Sequence, residues 1–288
     1  MTVTGHTTRA GVMGWPVAHS RSPRLHGYWL ALHGIDGAYL PLAVAPDDLA
    51  DALGALPERG FAGVNLTVPH KEAALDRLDT LSETARRIGA VNTVTVGTDG
   101  TLAGDNTDAF GFIENIRAGA PTWSAAAGPA VMIGAGGAAR AVAVALIDAG
   151  VPELRVVNRT RARAETLVAE LGGPLAAVDW ADRHGALDGA TLLVNTTTLG
   201  MTGAPPLELD LGALGPGAVV NDIVYAPLET PLLAAARRAG HVTVDGLGML
   251  LHQARPGFAA WFGVEPEVTA ELRAFVLDEP GALDEPGG

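Results

Sequence analysis

Short apolar runs alternate with amphipathic stretches along the whole chain, and this alternation predicts strands and helices in turn. Ala10–Gly14 is an apolar run ending at glycine. Pro23–His33 reads as a helix with Ser22 as its cap and Pro23 at the first helical position. Tyr39–Val44 is strand-like, Asp47–Leu56 helical with an acidic start, and Val64–Val68 a strand followed by a helix opening at Pro69. Ser82–Ile88 is a serine-capped helix. Val91–Val96 and Thr101–Gly104 flank Asp99-Gly100, a hairpin signal.

A helix over Ala109–Ala120 leads to a second series. Strands are predicted at Ala130–Ile133, Leu154–Val157, Thr191–Asn195, Ala218–Val224 and His241–Val244. Helices are predicted at Ala138–Ala149, Arg161–Leu171 and Pro231–Ala239, the first and last stopped by Gly150 and Gly240. There is no short-period repeat. The βαβα order predicts an α/β fold in two parts, each with a mainly parallel sheet between helices.

Composition narrows the function. The 288 residues carry 19 Lys+Arg against 32 Asp+Glu, a formal charge of -13, which argues against a nucleic-acid partner. The absence of cysteine removes disulfides, thiolate metal sites and cysteine nucleophiles. Met1–Ala10 lacks an apolar leader segment. The most membrane-like stretch, Ala130–Val151, is interrupted by Arg140 and Asp148, so no membrane partner is expected and the chain reads as cytoplasmic. Asp278–Gly288, rich in Pro, Gly and acid, reads as a flexible tail. His19, His26 and His33 recur every seven residues, but two helical turns span about 10 Å, too far for shared ligation. No metal is expected.

The strongest local signal is Gly134-Ala135-Gly136-Gly137-Ala138-Ala139, a G-x-G-x-x-A pattern that follows an apolar strand and opens a helix. In that context Gly134 makes the tight turn, Gly136 lets a pyrophosphate approach, and Ala139 permits close packing. The end of the next strand selects the dinucleotide. An NAD-binding chain usually places a carboxylate there, to hold the ribose 2′-hydroxyl. Here the strand runs into Asn158-Arg159-Thr160, with Arg161 and Arg163 beyond. Guanidinium groups suit a 2′-phosphate, so the expected cofactor is NADP.

Three motifs in the first half carry a family resemblance: Gly14-Trp15-Pro16-Val17-Ala18-His19-Ser20-Arg21-Ser22-Pro23, Gly63-Val64-Asn65-Leu66-Thr67-Val68-Pro69-His70-Lys71, and Gly104-Asp105-Asn106-Thr107-Asp108 with Gly111-Phe112. Ala90-Val91-Asn92-Thr93 lies between them. The second half adds Asn195-Thr196-Thr197, Gly200-Met201, Asp222-Ile223-Val224-Tyr225-Ala226-Pro227, and Asp245-Gly246 through Gln253. Together, in order and over nearly the whole chain, these resemble the NADP-dependent shikimate dehydrogenase family.

The resemblance implies a hydride-transfer enzyme interconverting 3-dehydroshikimate and shikimate, on the route to chorismate and aromatic amino acids. Lys71 and Asp108 become its catalytic pair, the lysine moving the hydroxyl proton and the carboxylate orienting it. Ser20 and Ser22, assisted by Tyr225, are implied to hold the substrate carboxylate, and Thr67, Asn92 and Gln253 its ring hydroxyls. Ile223, Gly246 and Glu83 are implied on the nicotinamide side. Alone, most of these residues read as caps, turns or solvated charges.

Three positions stand apart from the family pattern: His26-Gly27 stands where His-Asn is frequent, the aromatic Trp15 has no assigned role, and His70 stands where an aromatic is common. His70 reads as a spacer. The expected domains are 1–108, completed by helices in 246–277, and a Rossmann-type NADP domain over 109–245, with the active site in the cleft between them. The expected assembly is a monomer or a homodimer. Two rivals are a quinate/shikimate dehydrogenase or related enzyme for another cyclic hydroxy acid, and a non-catalytic NADP-binding regulator.

Overall fold

A computed structural model describes residues 6–278. The tail expected from Asp278 onward lies, apart from Asp278 itself, outside the described residues.

The elements run β1 (Thr8–Gly14), α1 (Ser22–Leu32), β2 (Gly37–Ala43), α2 (Leu49–Gly54), β3 (Phe61–Leu66), α3 (His70–Ala73), β4 (Thr80–Leu81), α4 (Glu83–Ile88), β5 (Thr93–Val96), β6 (Leu102–Asp105) and α5 (Asp108–Gly119). They continue with β7 (Ala130–Ile133), α6 (Gly137–Ala149), β8 (Leu154–Val157), α7 (Arg161–Leu171), β9 (Leu175–Val178), β10 (Leu192–Asn195), β11 (Val219–Asp222), α8 (Pro231–Arg238), β12 (Val242–Val244), α9 (Leu247–Phe262) and α10 (Ala270–Leu277). The described residues form two compact units. One takes those within Met1–Leu81, Val91–Asp105 and Ala254–Gly288; the other takes Ser82–Ala90 and Asn106–Gln253.

The first unit holds a six-stranded sheet in the order β2-β1-β3-β5-β6-β4. β1 runs parallel to β2 and β3, while β5 is antiparallel to both β3 and β6. The Asp99-Gly100 signal thus lies in a true hairpin turn, with Gly100 at φ 86°. On one side lies an aromatic cluster of Trp29, Tyr39, Phe258 and Trp261 around a buried His26. That burial gives His26, the residue that the His26-Gly27 departure keeps from the family pattern, a packing role.

The second unit holds six strands, all parallel, in the order β12-β11-β10-β7-β8-β9. Its strands are mainly apolar because both faces are covered, the polar exceptions being Arg155, Asn195, Asn221, Asp222 and Thr243. Along β7, Ala130 and Met132 join one core cluster while Val131 and Ile133 join the other. Leu192 and Leu193 of β10 divide the same way, as the two-residue period of a strand requires. α6 ends at Gly150, φ 87°, as its sequence predicts.

Three local differences have simple causes. β4 and β9 were not evident in the pattern; they are two and four residues long, and β9 consists of Leu, two Ala and Val behind Gly172-Gly173-Pro174. Asp47–Leu56 splits into a 3-10 turn and the short α2. Ser22 is the first residue of α1 and not its cap; Arg21 holds the cap position, and the Ser22 N–H is met by Ser20 Oγ at 3.3 Å.

Candidate active site

In the first unit the candidate substrate residues gather at one end of the sheet. β1 and β3 are parallel, so their carboxyl ends lie side by side. The chain beyond them stays stitched: Thr67 N–H donates to Met13 O at 2.9 Å, and Trp15 N–H to Val68 O at 3.1 Å. The loop carrying Ser20 and Ser22 leaves the first of these ends, and the turn carrying Thr67 and Lys71 leaves the second. Asn92 precedes the antiparallel β5 and therefore sits at the same end; its carbonyl accepts from Leu66 N–H at 2.9 Å. Ser22 and Asn92 are buried, whereas Ser20, Thr67 and Lys71 are half-buried.

Lys71 lies within the single turn of α3 and is held from both sides. Its carbonyl accepts from Val91 N–H at 2.7 Å. The preceding His70 is buried, its N–H donates to Thr67 O at 2.9 Å, and its Nε2 lies 2.9 Å from Val44 O. A carbonyl only accepts, so Nε2 carries the proton there. His70 is therefore a tether between this turn and the end of β2, more than the spacer its sequence position suggests.

Asp108 belongs to the second unit and opens α5. Thr107, not Asp108, occupies the cap position, and the Asp108 N–H is satisfied by Asn106 Oδ1 at 3.0 Å. Asn106 is itself anchored through Nδ2 to Ala90 O at 2.9 Å. The Asp108 side chain is thus not a helix cap. It is half-buried on a well-fixed first turn.

The dinucleotide fingerprint lies where its sequence context predicts. Gly134 takes φ 115°, a backbone form that L side chains rarely adopt, and a Cβ there would lie 2.4 Å from Thr196 Oγ1. Thr196 is held behind it by a 2.8 Å bond to Ile133 O. Gly136 is different: a Cβ on it would meet nothing within 4 Å. This is open space at the N-terminus of the 13-residue α6, the room a pyrophosphate needs beside free N–H groups. Ala139 is fully buried, as close helix–strand packing requires.

The arginines after β8 sort themselves by partner. Arg161 is committed to Glu165 at 2.7 Å and to Asp179. Arg159 and Arg163 are exposed and make no ion pair among the described residues. Asn158 turns the loop by donating to Thr160 O at 2.8 Å. Two uncommitted guanidiniums therefore stand where a 2′-phosphate is expected, and the residues present fit NADP. No carboxylate occupies the strand end.

The remaining predicted residues also lie in the second unit. Ile223 and Tyr225 follow β11, and Ile223 N–H donates to Asn195 O at 3.1 Å. Gly246 abuts this segment so closely that a Cβ would lie 2.1 Å from Ile223 O. Gln253 lies on α9, its Nε2 donating to Leu250 O at 3.0 Å. Glu83 is exposed in the first turn of α4, beside the positive end of that helix, where an acid is favoured for local reasons.

Asp222 had no role in the sequence beyond its motif. It is fully buried and ties two loops together. Asn195 Nδ2 and Val224 N–H donate to its Oδ1 at 3.0 and 3.1 Å, and Thr230 Oγ1 to its Oδ2 at 2.7 Å. Burial pushes this carboxyl up to about 6, against the opposing pull of those hydrogen bonds. Its signal was an acid, next to Asn221, at the end of a strand that opens with two valines.

A parallel dinucleotide-binding sheet joined to a second α/β unit whose strand ends carry a lysine, serines and asparagine defines a nicotinamide-dependent oxidoreductase of two-unit build. Comparison with known proteins narrows this. Residues 12–94 match the shikimate dehydrogenase substrate binding domain, and residues 122–199 the shikimate / quinate 5-dehydrogenase family. Shikimate dehydrogenase (NADP(+)) of Paramagnetospirillum magneticum is 64% identical over 275 residues, covering 96% of this chain and 100% of that protein. The same enzyme of Rhodospirillum rubrum is 63% identical, again covering 96% and 100%. Among solved structures, shikimate 5-dehydrogenase from Thermus thermophilus in complex with NADP(H) and shikimate matches with a TM-score of 0.83 and 40% identity, covering 94% of this chain and 99% of that one. Quinate dehydrogenase from Corynebacterium glutamicum in complex with NAD matches with a TM-score of 0.87 and 34% identity, with the same coverage. The chain belongs to the shikimate dehydrogenase family.

Proposed function

We propose that this protein catalyses the reversible, NADP-dependent interconversion of 3-dehydroshikimate and shikimate, in the cytoplasm, as a step of aromatic amino-acid synthesis. The relatives above 60% identity support the substrate and the cofactor. The chemistry rests on one observation: Lys71 is the only lysine in the chain, every other side-chain cation of the Lys/Arg type being arginine. Arginine does not give up its proton in proteins, whereas a lysine can. The one titratable side-chain amine stands at the strand ends, near Asn92 and Thr67.

When bound, NADPH would supply a hydride for the ring carbonyl carbon. The Lys71 ammonium gives a proton to the carbonyl oxygen as the hydroxyl forms, and takes it back in the oxidising direction. Asp108 accepts from that same hydroxyl. Ser20, Ser22 and Tyr225 hold the carboxylate through their hydroxyls, and Thr67, Asn92 and Gln253 bind ring oxygens. Gly134, Ala135, Gly136, Gly137 and Ala138 admit the pyrophosphate, while Asn158, Arg159, Thr160 and Arg163 receive the 2′-phosphate. Ile223, Gly246 and Glu83 border the nicotinamide.

The likeness to a quinate dehydrogenase keeps one second reading in play, oxidation of quinate with NAD. A spectrophotometric assay of shikimate and quinate, each with NADP and with NAD, decides. The highest kcat/KM is expected for shikimate with NADP. Preference for quinate with NAD replaces this proposal with the second reading, and turnover with none of the four leaves only an NADP-binding protein.

A further inference from the structure

A buried run of hydrogen bonds lies behind the candidate substrate residues of the first unit, and its middle members have no part in the chemistry above. The Tyr39 hydroxyl donates to Asn65 Oδ1 at 2.6 Å. Asn65 Nδ2 donates to the Asn92 carbonyl at 3.0 Å and to Thr93 Oγ1 at 3.1 Å. The Thr93 hydroxyl donates to Asn92 Oδ1 at 3.0 Å. All four residues are buried. The far end is clamped by His26, whose ring stacks on Tyr39 with centroids 3.9 Å apart and planes 3° from parallel. Burial lowers His26 to about 3, so the stack is neutral, and burial raises the Tyr39 phenol well above its usual value, so it remains a donor.

The directions of these bonds are not interchangeable. A backbone carbonyl only accepts, so Asn65 must turn its nitrogen toward Asn92 O, which leaves its oxygen for Tyr39. The second hydrogen on that nitrogen goes to Thr93. Thr93 must then send its own proton elsewhere, and Asn92 Oδ1 takes it. The side-chain amide of Asn92 is thereby turned with its oxygen inward to Thr93 and its NH2 group away from it.

We propose that Tyr39, Asn65 and Thr93 are positioning residues for substrate: they fix Asn92 as a hydrogen-bond donor to the ligand, so that the ligand atom it meets is a hydroxyl or ketone oxygen acting as acceptor. A donor serves both redox forms of a cyclic hydroxy acid, whereas an acceptor serves only the alcohol. This rests on the shikimate reading above.

The test uses the full-length protein with three variants. Thr93→Val keeps the shape and removes the hydroxyl, and is expected to raise KM for shikimate about tenfold, the worth of one hydrogen bond, while KM for NADP is unchanged. Thr93→Ser is expected to restore the wild-type KM, and Tyr39→Phe to raise it by a smaller factor. In ligand-free protein labelled with 15N-asparagine, the Asn92 side-chain NH2 signals are expected to shift and to exchange faster in Thr93→Val. A wild-type KM for shikimate in Thr93→Val, or a rise matched by KM for NADP, overturns the proposal. If the wild type does not oxidise shikimate, the functional reading fails separately. The Asn92 signals then still decide the positioning role, and signals unmoved by Thr93→Val overturn it.

Discussion

The Thr230 hydroxyl donates to the fully buried Asp222 carboxylate at 2.7 Å, and so joins the start of α8 to the end of β11. Burial raises this carboxyl from 3.8 to about 6. A folded-state value above the unfolded one means that the native state binds the proton more tightly. The resulting stabilisation is fully present below about pH 4 and is lost as pH rises through 6. Against Asp222→Asn, which lacks the titration, the wild type should lose on the order of 3 kcal/mol between pH 4 and pH 7. Urea unfolding of both proteins at the two pH values measures it, and a pH-independent gap would refute the shifted carboxyl.

Lys71→Ala should lower kcat for shikimate oxidation by about 10²–10⁴ with a modest change in KM. Lys71→Arg keeps the charge and should not rescue the rate, because the guanidinium holds its proton. Steady-state kinetics with saturating NADP checks both. Turnover near the wild-type level in either variant would remove Lys71 as the acid/base group.

Arg159 and Arg163 make no ion pair among the described residues, whereas Arg161 is occupied by Glu165 and Asp179. Arg159→Ala should raise KM for NADP by about tenfold or more, the worth of a charge-assisted hydrogen bond, and leave KM for NAD nearly unchanged. Arg161→Ala should affect the two cofactors alike. Equal losses for NADP and NAD in Arg159→Ala would remove the 2′-phosphate assignment.

Gly111 on α5 faces α9 at contact distance. A Cβ there would lie 2.5 Å from Gln253 Cβ and 2.7 Å from Met249 O, so neither helix has room for it. Gly111→Ala should cost about 1–3 kcal/mol by overpacking and raise KM for shikimate through displacement of Gln253. Denaturant midpoints and KM together check this; an unchanged KM would detach Gln253 from substrate binding.

Much of the second unit was legible in the sequence, for a local reason. Ala130–Ile133 is a continuous apolar run and Leu154–Val157 is broken only by Arg155, because a parallel strand covered on both faces has little polar side to blur its limits. The fingerprint Gly134–Ala139 combines a turn, an open approach and a tight contact, each tied to a residue size that sequence displays directly. Lys71, Asp108 and the arginines after β8 were legible as candidates because ordered motifs quote them. Less regular pieces were not: β9 has weak strand formers, and Ser22 reads as a cap although the chain turns one residue earlier.

The sequence by itself determined the alternating α/β order, the nucleotide turn and the family motifs, since each depends on side chains close together in the chain. Only the tertiary structure decided that Asn92 turns its amide oxygen to Thr93, that His70 ties its turn to Val44, that Arg161 is spent on Asp179 while Arg159 is not, and that Asp222 bridges two loops. Most of those facts are set by partners far apart in the chain; the exceptions are the Thr230–Asp222 bond, eight residues apart, and the Asn92–Thr93 bond, whose direction is dictated by Asn65 27 residues away. Hydrogen-bond direction and ion-pair choice follow from which groups burial brings together, and spacing along the chain does not encode that.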